Sequence, residues 1–146
     1  MHTIPGFSLS EFLDLSYRSD LQILTVRWLR AVSFNELQTG FAAAREQGYT
    51  QNAARWLVDV RRRTELDATS SGWVARELLP AVAADIVPAT LHVAYLLSPA
   101  RAELLRQDAA MRATMAAAQA PTQPYHLQTF LEEAPAVHWL LQPASE

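Results

Sequence analysis

The sequence predicts a single α/β domain whose central, mostly parallel sheet is opened by an N-terminal β-hairpin. Three observations carry that expectation. Short strand-like runs alternate with helical segments of ten residues or more, the pattern that right-handed β-α-β crossovers produce. Two of the runs, Ala54–Val60 and Leu91–Leu97, are nearly continuous in apolar residues, as strands covered on both faces are. The first two runs are separated only by a short turn, so they pair as antiparallel neighbours. The predicted order is ββαβαβαβα, with about five strands and helices packed on the sheet.

The elements follow in chain order. Residues 1–8 read as a loose arm, 9–142 as the domain and 143–146 as a tail. Phe12–Tyr17 alternates apolar and polar positions and forms an edge strand; Arg18-Ser-Asp20 turns the chain, and Leu21–Leu29 returns with β-branched and aromatic residues. Ser33-Phe-Asn-Glu36 is a capping box, in which the serine accepts from the third helical N–H and the glutamate reaches back. Phe34, Leu37, Phe41 and Ala44 then share one helical face, with Gly48 at the expected C′ position. Gly40 lies inside that helix, at a cost of about 1 kcal/mol relative to alanine.

The strand Ala54–Val60 leads through an arginine-rich junction into a second helix marked by Trp73, Leu78, Leu79 and Val82. That helix ends before Pro88, because the residue preceding proline avoids helical angles. Pro80 falls within it and predicts a kink. After the strand Leu91–Leu97, Ser98-Pro99 supplies an N-cap and a proline at the first helical position. One long alanine-rich helix runs from there to Gln119. The loop Ala120–Pro124, a strand Tyr125–Phe130 and a helix Glu132–Leu141 close the chain, with Pro135 in the last helix's first turn.

Composition bounds the function classes. The chain has 146 residues, half of them hydrophobic, 18% charged and none cysteine, so it buries a sizeable core and forms no disulfide. The net charge of −3 argues against a dedicated nucleic-acid binder, which needs clustered cations. No stretch approaches the ~20 apolar residues of a membrane span, and Met1–Phe7 lacks the pattern of a secretory signal. The expectation is a cytoplasmic protein without membrane insertion. Every strongly basic side chain is arginine, because the sequence holds no lysine.

No nucleophile elbow, P-loop, dinucleotide fingerprint or carboxylate pair is present, so no enzyme activity and no cofactor are expected. The histidines are His2, His92, His126 and His138. His92 and His126 fall on strands that neighbour one another if the sheet is sequential, but no spacing of His with Asp or Glu matches a metal site.

The junction Leu57–Trp73 is the most informative stretch. A buried strand ends at Asp59, the position where α/β folds place functional groups. Arg61, Arg62 and Arg63 follow, then Ser70 and Ser71 at the expected helix start. Arginines beside a helix N-terminus combine forked donors with unpaired backbone N–H groups and suit an anion. The alternative is a solvated loop whose charges pair with Glu65 and Asp67, with the serines acting as ordinary N-caps.

The element order, the hairpin start and the capped helix after the central strand resemble the STAS fold of anti-sigma-factor antagonists and transporter tails. They also resemble the SpoIIAA-like, Sec14-related domains of bacterial proteins. Antagonists of this kind carry a strand ending in aspartate, then an Asp-Ser-Ser-Gly box whose first serine is phosphorylated. Here Trp56-Leu-Val-Asp59 matches the strand and Ser70-Ser71-Gly72 the box, but Ala68 and Thr69 separate Asp67 from Ser70, and Arg61–Arg63 replaces an apolar segment. The resemblance implies Ser70 as a phosphoacceptor and favours the SpoIIAA-like branch. It also implies a small hydrophobic, lipid-like ligand, with Trp73, Leu78 and Leu79 as a mobile pocket wall.

The functional expectation is a non-catalytic regulatory or protein-interaction module, with Asp59, Arg61–Arg63, Ser70 and Ser71 forming its contact surface. A carrier or sensor of a hydrophobic ligand and a phosphorylatable antagonist are the alternatives. A homodimer is expected through Met111 and Met115, placed on an otherwise alanine-rich helix face suited to adaptable packing.

Overall fold

The hairpin opens the sheet as predicted. In the computed structural model, which describes residues 9–63 and 67–142, β1 (Leu13–Arg18) pairs antiparallel with β2 (Ile23–Trp28). β3 (Arg55–Asp59), β4 (Leu91–Leu96) and β5 (Tyr125–Phe130) then add in sequence, each parallel to its predecessor. The order across the sheet is therefore β1-β2-β3-β4-β5. The expected arm, the expected tail and Glu65 lie outside the described residues.

Local signals explain most of the helices. Helix α1 (Phe34–Gln51) starts at the capping box: Glu36 N–H donates to Ser33 Oγ at 3.1 Å, and Ser33 N–H donates to Glu36 Oε1 at 2.9 Å. It runs past Gly48, contrary to the expected stop there. Asn52 takes the left-handed conformation at φ 52° instead, which asparagine tolerates, and Gly48 stays inside the helix with the Trp56 ring passing against it. A Cβ on Gly48 would lie 2.9 Å from Trp56 Cζ2.

The second helix begins earlier than expected, and its cap is Asp67 rather than Ser70 or Ser71. Asp67 accepts from Thr69 N–H at 3.1 Å and Ser70 N–H at 3.3 Å. The helix is continuous but changes pitch: α2 (Ala68–Trp73) widens into a π-helical segment (Val74–Leu78) and then tightens into α3 (Leu79–Asp85). The irregularity expected at Pro80 is thus a π segment just before it; proline lacks the N–H that would continue an α ladder, and the wider turn accommodates that loss.

The long helix after Ser98 is also two helices. Ser98 Oγ accepts from Arg101 N–H at 3.1 Å and starts α4 (Pro99–Gln107). Asp108, extended at φ −94° and ψ 114°, ends it and caps α5 (Ala109–Ala118) by accepting from Met111 N–H at 3.1 Å. Aspartate competes well for such a cap, which breaks an otherwise unbroken helical pattern. Helix α6 (Glu133–Leu141) closes the chain.

Strand alternation then sorts side chains between two cores. Leu24, Val26, Trp28, Trp56, Val58, Leu91, Val93, Tyr125 and Leu127 pack with residues of α1, of the 74–86 segment and of α5. Ile23, Leu57, Ala94 and Leu96 point the other way, against Ala136 and Leu140 of α6. The crossover helices share one face, as connections of one hand require when strands are added in one direction. Met111 is buried and Met115 packs against the same core, so the methionine face expected to mediate a homodimer points inward.

Candidate functional site

The junction after β3 is built around Asp59. Its side chain is on the α6 face and almost wholly buried. Arg61 grips it with a fork: Nε donates to Oδ1 at 3.0 Å and Nη2 to Oδ2 at 2.9 Å, while the Arg61 backbone N–H adds a bond to Oδ1 at 3.0 Å. From the neighbouring strand, Arg27 Nη1 donates to Oδ2 at 2.5 Å. Glu133 at the start of α6 accepts from the same Arg27 atom at 3.3 Å and lies 3.5 Å from Arg61 Nη2. Burial alone would raise the Asp59 pKa, but the hydrogen bonds and charge of Arg61, with Arg27, outweigh it and hold the carboxyl below its ordinary value. Asp59 is an ion-pair anchor that ties β2, β3 and α6 together, and its lone pairs are committed to donors.

The three arginines do not form one surface. Arg61 faces α6, and Arg62 is exposed to solvent. Arg63 swings to the opposite face of the sheet, because a turn closed by Arg63 N–H donating to Val60 O at 3.1 Å reverses the strand's alternation. There its guanidinium lies 5.7 Å from the Trp28 ring centroid, and its carbonyl accepts from Arg101 Nη1 at 3.0 Å.

Arg63, Ser70 and Ser71 line a cavity of about 50 Å³ between the sheet and α2, α4 and α5, together with Tyr95, Arg101 and Thr114. Leucine and methionine side chains, including Leu79, Met111 and Leu127, close the rest. Arg101 is 7% exposed. Burial lowers its pKa to about 10, with the nearby Arg63 charge acting in the same direction. Burial pushes the Tyr95 phenol up to about 12, against the pull of Arg63 and Arg101. These shifts place three polar groups within electrostatic reach of each other around one small space.

The residues expected to form one pocket wall line two separate spaces. The pocket wall divides: Leu79 faces the cavity, whereas Trp73 and Leu78 line an open groove toward α1, where Trp73 meets Phe34 edge-on at 5.9 Å. The enclosed cavity is far smaller than the roughly 300–1,000 Å³ of pockets for drug-sized ligands, whereas the open groove lined by Trp73 and Leu78 measures about 520 Å³. Ser70 is buried, and its hydroxyl donates to Asp67 Oδ2 at 2.5 Å, so transfer of phosphate to it requires the first turn of α2 to open.

Sequence reasoning missed Arg27, Glu133, Tyr95 and Arg101. The first two are legible only once β2, β3 and α6 are in contact. Arg101 was within reach: parallel strands bring the ends of β3 and β4 side by side, and Arg101 stands in the first turn after β4. His92 and His126 do come together, with ring centroids 5.0 Å apart, and Trp139 covers His92 at 5.6 Å. No group of three or more metal-ligating side chains occurs among the described residues, and no described helix is long and apolar enough to cross a membrane.

No protein-family model, no curated protein and no solved structure matches the chain.

Proposed function

We propose that the chain is a non-catalytic regulatory module whose 61–71 junction contacts a protein partner and reports what the internal cavity holds. One observation carries the reading. The consecutive residues Arg62 and Arg63 face solvent and the cavity respectively, so one short backbone segment links the interior to the exposed side chain. A cytoplasmic setting belongs to the same proposal, as does kinship with STAS-like and SpoIIAA-like domains, which the element order and the hairpin-led sheet support.

The test separates surface from scaffold. Changing all three arginines would also break the Asp59 anchor and uncover Trp28. Arg62→Glu alters only the exposed charge, and against a partner that meets Arg62 with a complementary group it should reduce capture by ~tenfold or more. Affinity capture from the native cell, with circular dichroism as the folding control, reads the result. An unchanged set of captured proteins overturns the contact surface.

Self-association is proposed on a different footing from the methionine face. β5 is a sheet edge whose six residues include no Asp, Glu, Lys, Arg or Pro, and such an edge invites pairing. Light scattering should give a dimer mass at micromolar concentration; a monomer mass across the range removes this part.

A further inference from the structure

His92 on β4 and His126 on β5 are direct partners in the parallel register, so their side chains stand side by side on one face of the sheet. That face is the one α6 covers, since Ala94 and Leu96 follow His92 on it. The two ring centroids are 5.0 Å apart, and Trp139 of α6 packs edge-on against His92 at 5.6 Å, which restricts rotation of that ring. His92 is partly buried and His126 is exposed.

Both the spacing and the tautomer suit a chelate. A metal-bound imidazole nitrogen lies about 2.0–2.1 Å from the ion, which puts its ring centroid roughly 3.2 Å away, so two rings at a tetrahedral angle stand roughly 5 Å apart. His92 Nδ1 lies 3.2 Å from Thr90 O. A carbonyl only accepts, so in the neutral ring Nδ1 carries the proton and Nε2 the lone pair. Metal-ligating histidines are held in this way, with the second ring nitrogen donating to a backbone carbonyl or carboxylate.

We propose that His92 and His126 chelate a divalent transition-metal ion of the zinc, copper or nickel class, in an open site whose remaining positions are filled by water. Imidazole suits these ions, whereas magnesium and calcium require oxygen ligands. No third His, Asp or Glu joins the pair among the described residues. Arg55, the partner of His92 on β3, donates to Leu21 O at 3.1 Å and adds a like charge that reaches His92, so the site is weaker than a closed centre of three or four ligands. The exposed His126 gives the ion its way in. The pair sits near the N-terminal ends of β4 and β5, whereas the 61–71 junction follows the C-terminal end of β3, so either reading can fail without the other.

Isothermal titration of the full chain with zinc chloride, nickel chloride and magnesium chloride tests the site. Zinc and nickel should bind at one ion per chain, and magnesium should not. His126→Gln replaces an exposed side chain, so its circular dichroism spectrum should stay native. It should weaken zinc binding by about tenfold or more, since loss of an outer-shell partner alone typically costs about 10–100-fold. His92→Gln should do the same; should it fail to fold, His126→Gln decides alone. His138→Gln, which changes an exposed histidine of α6 outside the pair, should bind zinc as the wild type does. No zinc binding by the wild type, unchanged binding in His126→Gln, lost binding in His138→Gln, or magnesium binding as tight as zinc overturns the assignment.

Discussion

Asp59→Ala should destabilise the protein by about 3–5 kcal/mol, the usual consequence of removing one partner of a buried ion pair. The loss has two parts: Arg27 and Arg61 forfeit their shared acceptor, and the Arg61 backbone N–H forfeits its bond. Glu133 remains within reach of both guanidinium groups, and Arg61 is partly exposed, so the lower end of the range is expected. Asp59→Asn keeps the shape and should cost less at neutral pH. The pH dependence separates charge from shape. A carboxyl held below its ordinary pKa contributes stability that is fully present above the unfolded value, near pH 4, and is lost as pH falls through the lower folded value. Wild type should therefore lose stability on acidification below about pH 4 more steeply than Asp59→Asn, and the two curves should converge there. Urea denaturation at a series of pH values measures it; parallel curves for the two proteins would show that the Asp59 charge adds nothing to folding.

The fold was legible where short-range chemistry decides it. The capping box at Ser33, the Ser98-Pro99 start and the apolar β3 and β4 runs each act within one turn or one strand, and each holds in the structure. The departures are places where one local preference met another. Asn52 rather than Gly48 is the left-handed residue that ends α1, and Gly48 instead makes room for the Trp56 ring. Asp108 caps α5 instead of continuing a helix. Asp67 takes the cap from Ser70 because a carboxylate accepts two backbone N–H groups and a hydroxyl at once.

The candidate site was legible in its residues but not in its grouping. Arg61, Arg62 and Arg63 read as one cationic patch, yet a single turn bonded from Arg63 N–H to Val60 O sends them to three environments. Nothing in residue type encodes that turn; it follows from how the chain leaves β3 toward α2. The cavity shows the opposite case. Its serines were singled out for the helix start, and its deeper members, Tyr95 and Arg101, come from β4 and α4, elements whose adjacency to β3 the parallel order already implies. Long-range neighbours were deducible from topology, whereas a two-residue reversal was not.

Trp28 should prove to be the side chain on which the helix-covered core depends most. It is fully buried, stacks on Phe12 at 6.3 Å, meets Phe41 at 5.1 Å and lies under Arg63. Gly40 exists for it: a Cβ there would fall 2.6 Å from Trp28 Cη2 and 3.1 Å from Leu13 Cδ2. Trp28→Ala should cost about 3–5 kcal/mol, as large-to-small changes at packed aromatics do, a substantial share of a typical total stability of about 5–15 kcal/mol. Gly40→Ala probes the same contact from the helix side. Alanine would gain up to about 1 kcal/mol of helix propensity, but the overlap with a ring that has no free side costs about 1–3 kcal/mol, so the net change should be destabilising. Trp28→Phe should fall well short of the alanine cost, since it keeps an aromatic face and removes an indole N–H that has no acceptor among the described residues. Urea titration followed by circular dichroism orders the four proteins, with wild type and Trp28→Phe unfolding last and Trp28→Ala first. A Gly40→Ala protein more stable than wild type would mean that Trp28 has room to move, and the tight packing argued for this core would be wrong.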